Sequence, residues 1–536
     1  MIKRVITIFL SLFVTFSCTD NSLDVSTKVS LTDGLIQGYQ DNDLKIFLGI
    51  PYAEPPVGPL RWAPSKKKLP WEGVLDVKKN ENICFQPKMP TEFYDRDPNV
   101  KNMSEDCLTL NVWTRANDVN QKLPVMVWIH GGALVWGSGS EYKGDEITKK
   151  GVILVTVNYR LGPLGFYAHP ELSTENGTSG NQGFRDQIAA LEWVKENIAK
   201  FGGNPDNITI FGESAGSWSV NVLQASPLSR GLFHKVIGQS GARLIPLTHI
   251  NQKAPYSDSA ENLGVILSKV MSNSREPSLQ ELRKLSPKQI IQNIEKDPLY
   301  STQFDSLTII DGEVIPEDIS IIFKKGNQAD VPVLIGSTAD EAITFDPQML
   351  NPGLSMMSYM DLTNSSIYDI LPEIDEEIFQ YYPVENEEQA KESWIGFTTD
   401  AMFTAQMQKW GYLMSTVDSP AFLYLWNWHP TINGSKALKA FHAAEVPYVF
   451  GTMDLFDIED SKEDREFSNL MIEIWTNFAK TGNPSVEDKI EWPVFKADSQ
   501  EYISLSYKVE KKEYLRSKKV QLINEAYDRS RVIFKD

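Results

Sequence analysis

Cysteine is scarce: three in 536 residues, with no CxxC pair, no HExxH run and no Cys/His cluster of zinc spacing. A disulfide-built scaffold is therefore excluded and a resident metal is not expected. Positive charge is short as well, 52 Lys and Arg against 71 Asp and Glu, for a net charge of −19. A chain of that sign has no general grip on a phosphate backbone, so nucleic acid is not expected as a partner. The lysine runs at Lys66 to Lys68, Lys149 to Lys150 and Lys518 to Lys519 are short and scattered, and read as solvated surface. Internal repeats and Gly/Ser or Pro-rich linkers are missing too, which leaves one large folded unit rather than an array.

What is present begins at the N-terminus. Lys3 and Arg4 precede an apolar run from Val5 to Phe16, followed by Ser17 and Cys18. A dozen apolar residues are too few for a permanent bilayer span and fit the core of a secretory signal over residues 1–17. The small residue before Cys18 resembles the lipobox of bacterial lipoproteins, in which cleavage leaves that cysteine first and lipidated. The expectation is an envelope protein attached to the membrane only through Cys18, with ordinary cleavage nearby and a soluble exported chain as the alternative. Loss of residues 1–17 removes two cations and takes the net charge from −19 to −21. In an oxidising compartment Cys84 and Cys107 are expected to pair, closing a loop worth roughly 3 kcal/mol. Two buried thiols are the alternative.

Thr19 to Val29 reads as a polar tether, and residues 30–536 as the folded unit. Apolar runs rich in β-branched residues alternate with helix-period segments, the pattern of a mostly parallel sheet covered by helices. Val125–Ile129, Val152–Asn158, Ile208–Phe211, Val331–Ile335 and Phe422–Trp426 are the clearest strands. Phe184 to Lys200 carries an apolar helical face and ends at the breaker FGGNP. The charged, helix-prone stretches Lys253–Leu299 and Asp346–Asp418 are longer than a simple crossover and read as helical insertions around a site.

The strand Ile208–Phe211 runs directly into GESAG at Gly212–Gly216, and a helical segment follows. A buried strand, a turn with small neighbours and a helix are what a nucleophile elbow requires, so Ser214 is the candidate nucleophile. A serine hydroxyl needs a neutral imidazole to take its proton and a carboxylate to orient that ring. With the acid and then the histidine following the serine in chain order, His429 or His442 can be the base. Asp340 or Glu341, beyond Val331–Ile335, can be the acid, and the residues alone leave both pairs open. The run WIHGGAL, Trp128 to Leu134, exposes backbone N–H groups that with Ala215 would form an oxyanion hole. His130 then reads as a structural loop histidine.

These motifs, together with FLGIPYAEPPVGPLRW, SEDCLTLNVW, FHAAEVPYVFG and WTNFAKTGNP, make the chain resemble the type B carboxylesterases, which include cholinesterases. The resemblance implies an α/β-hydrolase fold and hydrolysis of carboxylic esters through an acyl-enzyme, with no cofactor. It implies Ser214, Glu341 and His442 as the triad, Gly132, Ala133 and Ala215 as oxyanion donors, and a Cys84–Cys107 disulfide. Alanine stands at Ala133 and Ala342 where the family has mostly glycine, which would narrow the site. Asp97 stands where cholinesterases carry a choline-stacking tryptophan. Uncharged esters of short to medium acyl length are therefore expected over choline esters and long-chain triglycerides. Glu213 would tune the local field or be a buried structural carboxylate. The alternative function is a catalytically dead surface-binding relative, which typically lacks a triad member.

Overall fold

The structure, a computed structural model, describes residues 25–80, 82–88, 102–296, 307–346, 358–432, 434–459 and 461–534. Cys18 and Asp97 lie outside the described residues. The frame is an 11-stranded sheet. In chain order its strands are β1 (Tyr39–Asp41), β2 (Leu44–Pro51), β3 (Thr109–Thr114), β4 (Leu123–Ile129), β5 (Ile153–Val157) and β6 (Gly203–Glu213). The rest are β7 (Lys235–Gln239), β8 (Val333–Thr338), β9 (Ala421–Trp426), β10 (Tyr502–Leu505) and β11 (Glu510–Lys512). Their spatial order is β11-β10-β9-β8-β7-β6-β4-β5-β3-β2-β1. Pairing is parallel from β10 through to β5 and antiparallel at both margins.

Burial on both faces explains the central composition. Along β4, Val125, Val127 and Ile129 enter one core, while Met126 and Trp128 enter the other. A strand whose alternate side chains are both buried reads as an unbroken apolar run, which is why the central strands were recognisable. The marginal strands and β7, whose KVIGQ mixes Lys and Gln with apolar residues, were not. The helix expected over Phe184–Lys200 is α1 (Gln182–Asn197), continued by a 3₁₀ turn at Ile198–Phe201.

After the elbow comes α2 (Ala215–Ala225). The first expected insertion contains α3 (Ala260–Ser272) and two short helices, Leu279–Lys284 and Pro287–Ile294, each opened by a capping box. The second contains α4 (Tyr359–Ile370), α5 (Glu387–Thr399), a π-helical turn at Asp400–Thr404, and α6 (Ala405–Met414). The last long helices are α7 (Lys462–Thr481) and α8 (Ser517–Arg529).

Residues 25–29, expected as the end of a polar tether, are part of the folded unit. Val25 and Val29 are 3% and 5% exposed, the Val25 N–H donates to Asn117 O at 3.0 Å, and Lys28–Ser30 pairs with Leu35–Gln37. Two valines with a place in the core fold with it despite their polar neighbours. Cys84 and Cys107 form a disulfide, with Cα atoms 5.1 Å apart.

Candidate active site

The C-terminal ends of β4, β6, β8 and β9 converge on one crevice edge, the position at which parallel α/β sheets present their chemistry. Ser214 lies between β6 and α2 with φ 56° and ψ −124°, a region that an L-residue enters only when its surroundings impose it. The Ser214 N–H donates to Gln239 O at 2.8 Å, and Ser214 O accepts from the Trp218 N–H at 3.0 Å. Ser214 is part-exposed between buried Glu213 and Ala215. Small neighbours are compulsory: a Cβ on Gly216 would meet Ile129 O at 2.0 Å, and one on Gly131 would meet Glu213 O at 2.8 Å.

Beyond β4 the chain turns through Gly132, Ala133 and Leu134 at φ 97°, 54° and 62°. Two consecutive non-glycine residues in the left-handed region cost about 1–2 kcal/mol each. The turn is closed by Val135 and Trp136, whose N–H groups donate to Gly132 O at 2.9 and 2.8 Å. His130 supports it from within. Its ring stacks on Tyr159, with centroids 4.5 Å apart, and its carbonyl accepts from the Tyr159 hydroxyl at 2.8 Å. Burial pushes the His130 imidazole down to about 4, so it is a neutral packing group.

The two acid–histidine pairs that the residues alone left open are separated by the loops after β8 and β9. His442 Nδ1 lies 2.6 Å from Glu341 Oε2, and Glu341 Oε1 accepts from the Thr338 N–H at 2.7 Å. Glu341 is fully buried. Asp340 instead ties the loops together: its N–H donates to Ala440 O at 3.0 Å and its carboxylate accepts from the Ala440 N–H at 3.3 Å. His429 stands 4.0 Å from Asp340 at the partly exposed margin. Glu341 and His442 are thus the buried pair that belongs to the elbow.

Three carboxylates surround the His442 ring. Nε2 lies 3.1 Å from Glu213 Oε1, and Glu445 is buried nearby, accepting from Gln239 Nε2 at 3.1 Å. Burial opposes the imidazolium, but Glu213, then Glu341 and Glu445, outweigh it and push His442 up to about 9. Burial, followed by repulsion from Glu341, pushes the Glu445 carboxyl up to about 7. Two phenyl rings complete the shell, Phe345 and Phe403, with centroids 4.9 and 4.8 Å from that of His442. Neither phenylalanine was singled out in the sequence, where nothing distinguishes them from core residues. Glu445 is in the FHAAE motif, and its spacing from His442 was the available signal.

The arrangement offers a strained serine, a buried acid–imidazole pair beside Glu213, and a backbone turn that follows Gly131, itself packed against Glu213 and Ser214. Residues 24–523 match the Carboxylesterase family. The chain belongs to that family. The para-nitrobenzyl esterase of Bacillus subtilis (strain 168) is 35% identical over 491 residues, covering 89% of this chain and 94% of that protein. Acylcarnitine hydrolase of Mus musculus is 34% identical, covering 86% and 82%. A solved PNB esterase structure superposes with a TM-score of 0.80 at 32% identity, covering 93% of this carboxylesterase and 99% of that chain. The fold is accordingly the α/β-hydrolase fold, and the chain is a carboxylic ester hydrolase, not the dead surface binder weighed as the alternative.

Proposed function

We propose that this carboxylesterase hydrolyses uncharged esters of short to medium acyl length through an acyl-enzyme on Ser214. The observation that carries the reading is the buried 2.6 Å contact of His442 Nδ1 with Glu341, beside the strained Ser214. Glu341, held by the Thr338 N–H, keeps a proton on Nδ1 and leaves Nε2 as the base. Nε2 takes the Ser214 proton as Oγ attacks the ester carbonyl, then returns it to the leaving alcohol. The N–H groups of Gly132, Ala133 and Ala215 receive the developing oxyanion, each worth about 3 kcal/mol in the transition state. Water, deprotonated by the same imidazole, releases the acid and restores the serine.

A fluorophosphonate is expected to label a single serine, in the peptide containing Ser214, and Ser214→Ala is expected to lower kcat by at least about 10⁴-fold. Label on a different serine, or turnover retained in the variant, would overturn the assignment.

The substrate range is supported by the part-exposed Trp136 that continues the oxyanion loop, and by the match of 89% of the chain to a para-nitrobenzyl esterase; Leu134, expected beside it, is fully buried in the core. Each methylene in an apolar pocket gains about 1–3 kcal/mol until the pocket is full, so kcat/KM should rise to acyl chains of about four to six carbons and then decline. A kcat/KM for butyrylcholine equal to that of a neutral butyrate ester would sink this range.

For location, we infer an exported chain whose mature N-terminus is a lipidated Cys18. It rests on the signal-like residues 1–17. Among the described residues no helix is long and apolar enough to cross a membrane.

A further inference from the structure

A base must present its free nitrogen to the serine hydroxyl in a defined orientation to accept the proton. For His442 the orientation is contested in the catalytic cycle, because once Nε2 carries the serine proton the Glu213 carboxylate 3.1 Å away draws the ring toward itself. The two phenyl rings against the imidazole are therefore more than packing. Phe345 closes the 3₁₀ turn Glu341–Phe345, and Phe403 lies in the π-helical turn Asp400–Thr404. The rings are near parallel, 8° apart, with centroids separated by 6.0 Å. π-Turns interrupt an α-helix for a single turn and occur frequently at functional sites.

One buried carboxylate fixes that turn. Asp400, fully buried, accepts from the Tyr382 hydroxyl at 2.6 Å and from Lys519 Nζ at 2.6 Å, and it pairs with the Arg516 guanidinium. Burial alone would raise the Asp400 carboxyl, but Arg516 and Lys519 outweigh it and hold it below the ordinary value. The same guanidinium donates to Ala339 O at 2.8 Å, two residues before Glu341. A second link joins the segments directly, the Ala342 N–H donating to Thr399 Oγ1 at 3.1 Å. The far end of the acid turn is pinned too, as Asp346 accepts from the Tyr359 hydroxyl at 2.7 Å and from Lys391 at 2.9 Å.

We propose that Phe403 is a positioning residue for the reaction: with Phe345 it holds the His442 imidazole in its working orientation, and the Asp400–Arg516 pair sets Phe403 relative to Glu341. This rests on His442 being the base. The C-terminal helix α8, far from the serine in sequence, thereby controls the alignment of the chemistry through Arg516 and Lys519.

The test uses an acetate ester, whose acyl group is too short to probe the pocket wall. Phe403→Leu keeps the apolar volume and removes the flat face. Its kcat is expected to fall on the order of tenfold to a hundredfold, as small misplacements of reacting groups do. KM should stay within about threefold, and the loss should persist at alkaline pH where the imidazole is neutral. Phe345→Leu should act in the same direction. Arg516→Lys retains the buried charge beside Asp400 but shortens the reach to Ala339 O, and should lower kcat with the pocket lining untouched. A Phe403→Leu kcat within about twofold of the parent would overturn the proposal, and so would a loss confined to KM or one that disappears at alkaline pH. His442→Ala and His429→Ala serve as controls: turnover retained in the first and lost in the second would overturn the base assignment itself.

Discussion

At the scale of single residues, the behaviour of the proposed base is dominated by the charge around His442. An imidazole alone would titrate near 6.5, which would put the acid limb of activity there. The structure moves it upward, because Glu213 and Glu341 favour the imidazolium more than burial disfavours it, and the ring titrates at about 9. In the proposed mechanism only the neutral ring can accept the serine proton, so kcat/KM is expected to climb with pH through the neutral range and to reach half of its plateau near pH 9. Glu213→Gln removes the largest of the raising influences, and should shift the limb to lower pH, which a pH profile of kcat/KM would read. A limb unmoved in that variant would mean that Glu213 is a structural carboxylate. Stability runs the other way. A group whose folded pKa is raised contributes fully below its unfolded value, and that contribution is lost as pH rises through its folded value. His442 therefore favours the folded state most below about 6.5, and the benefit fades toward about 9.

Among the elements, the loop between Cys84 and Cys107 is the one held by covalent chemistry. The bridge spans 23 residues, and closing such a loop disfavours the unfolded chain by about 3 kcal/mol. Replacing both cysteines with alanine should lower unfolding stability by about that amount, measured in denaturant, while kcat toward small esters stays near the parent value. An equal loss of kcat in the folded variant would place the loop in the catalytic machinery. The turn Gly132–Leu134, the proposed oxyanion turn, makes the opposite case, for it is held by packing: His130 stacks on Tyr159, and Ala133 and Leu134 keep strained backbones that glycine would adopt freely.

For the molecule as a whole, the open prediction concerns attachment. A single acyl chain binds a membrane only marginally, whereas the several chains of a bacterial lipoprotein anchor stably. The mature protein is expected to begin at Cys18, to carry the mass of those chains and to partition into detergent, and Cys18→Ala should release it to the aqueous phase. An intact mass showing an unmodified N-terminus would rule out the anchor.

The sequence by itself determined five strands of the sheet, the elbow and the family, and it did so for one reason. Strands buried on both faces, a serine flanked by glycines and long ordered motifs are local in the chain, so their physics is written in neighbouring residues. Tertiary structure decided what depends on distant segments meeting. Asp340 and Glu341 are adjacent and chemically alike, and only the fold of the loops after β8 and β9 turns one into a backbone tie and the other into the partner of His442. Val25 and Val29 sit among polar residues, and only the place waiting for them in the core makes them part of the fold. The pH at which His442 titrates is likewise a tertiary property. It follows from carboxylates at positions 213, 341 and 445 that approach one ring in space, where their charges outweigh the cost of burying it.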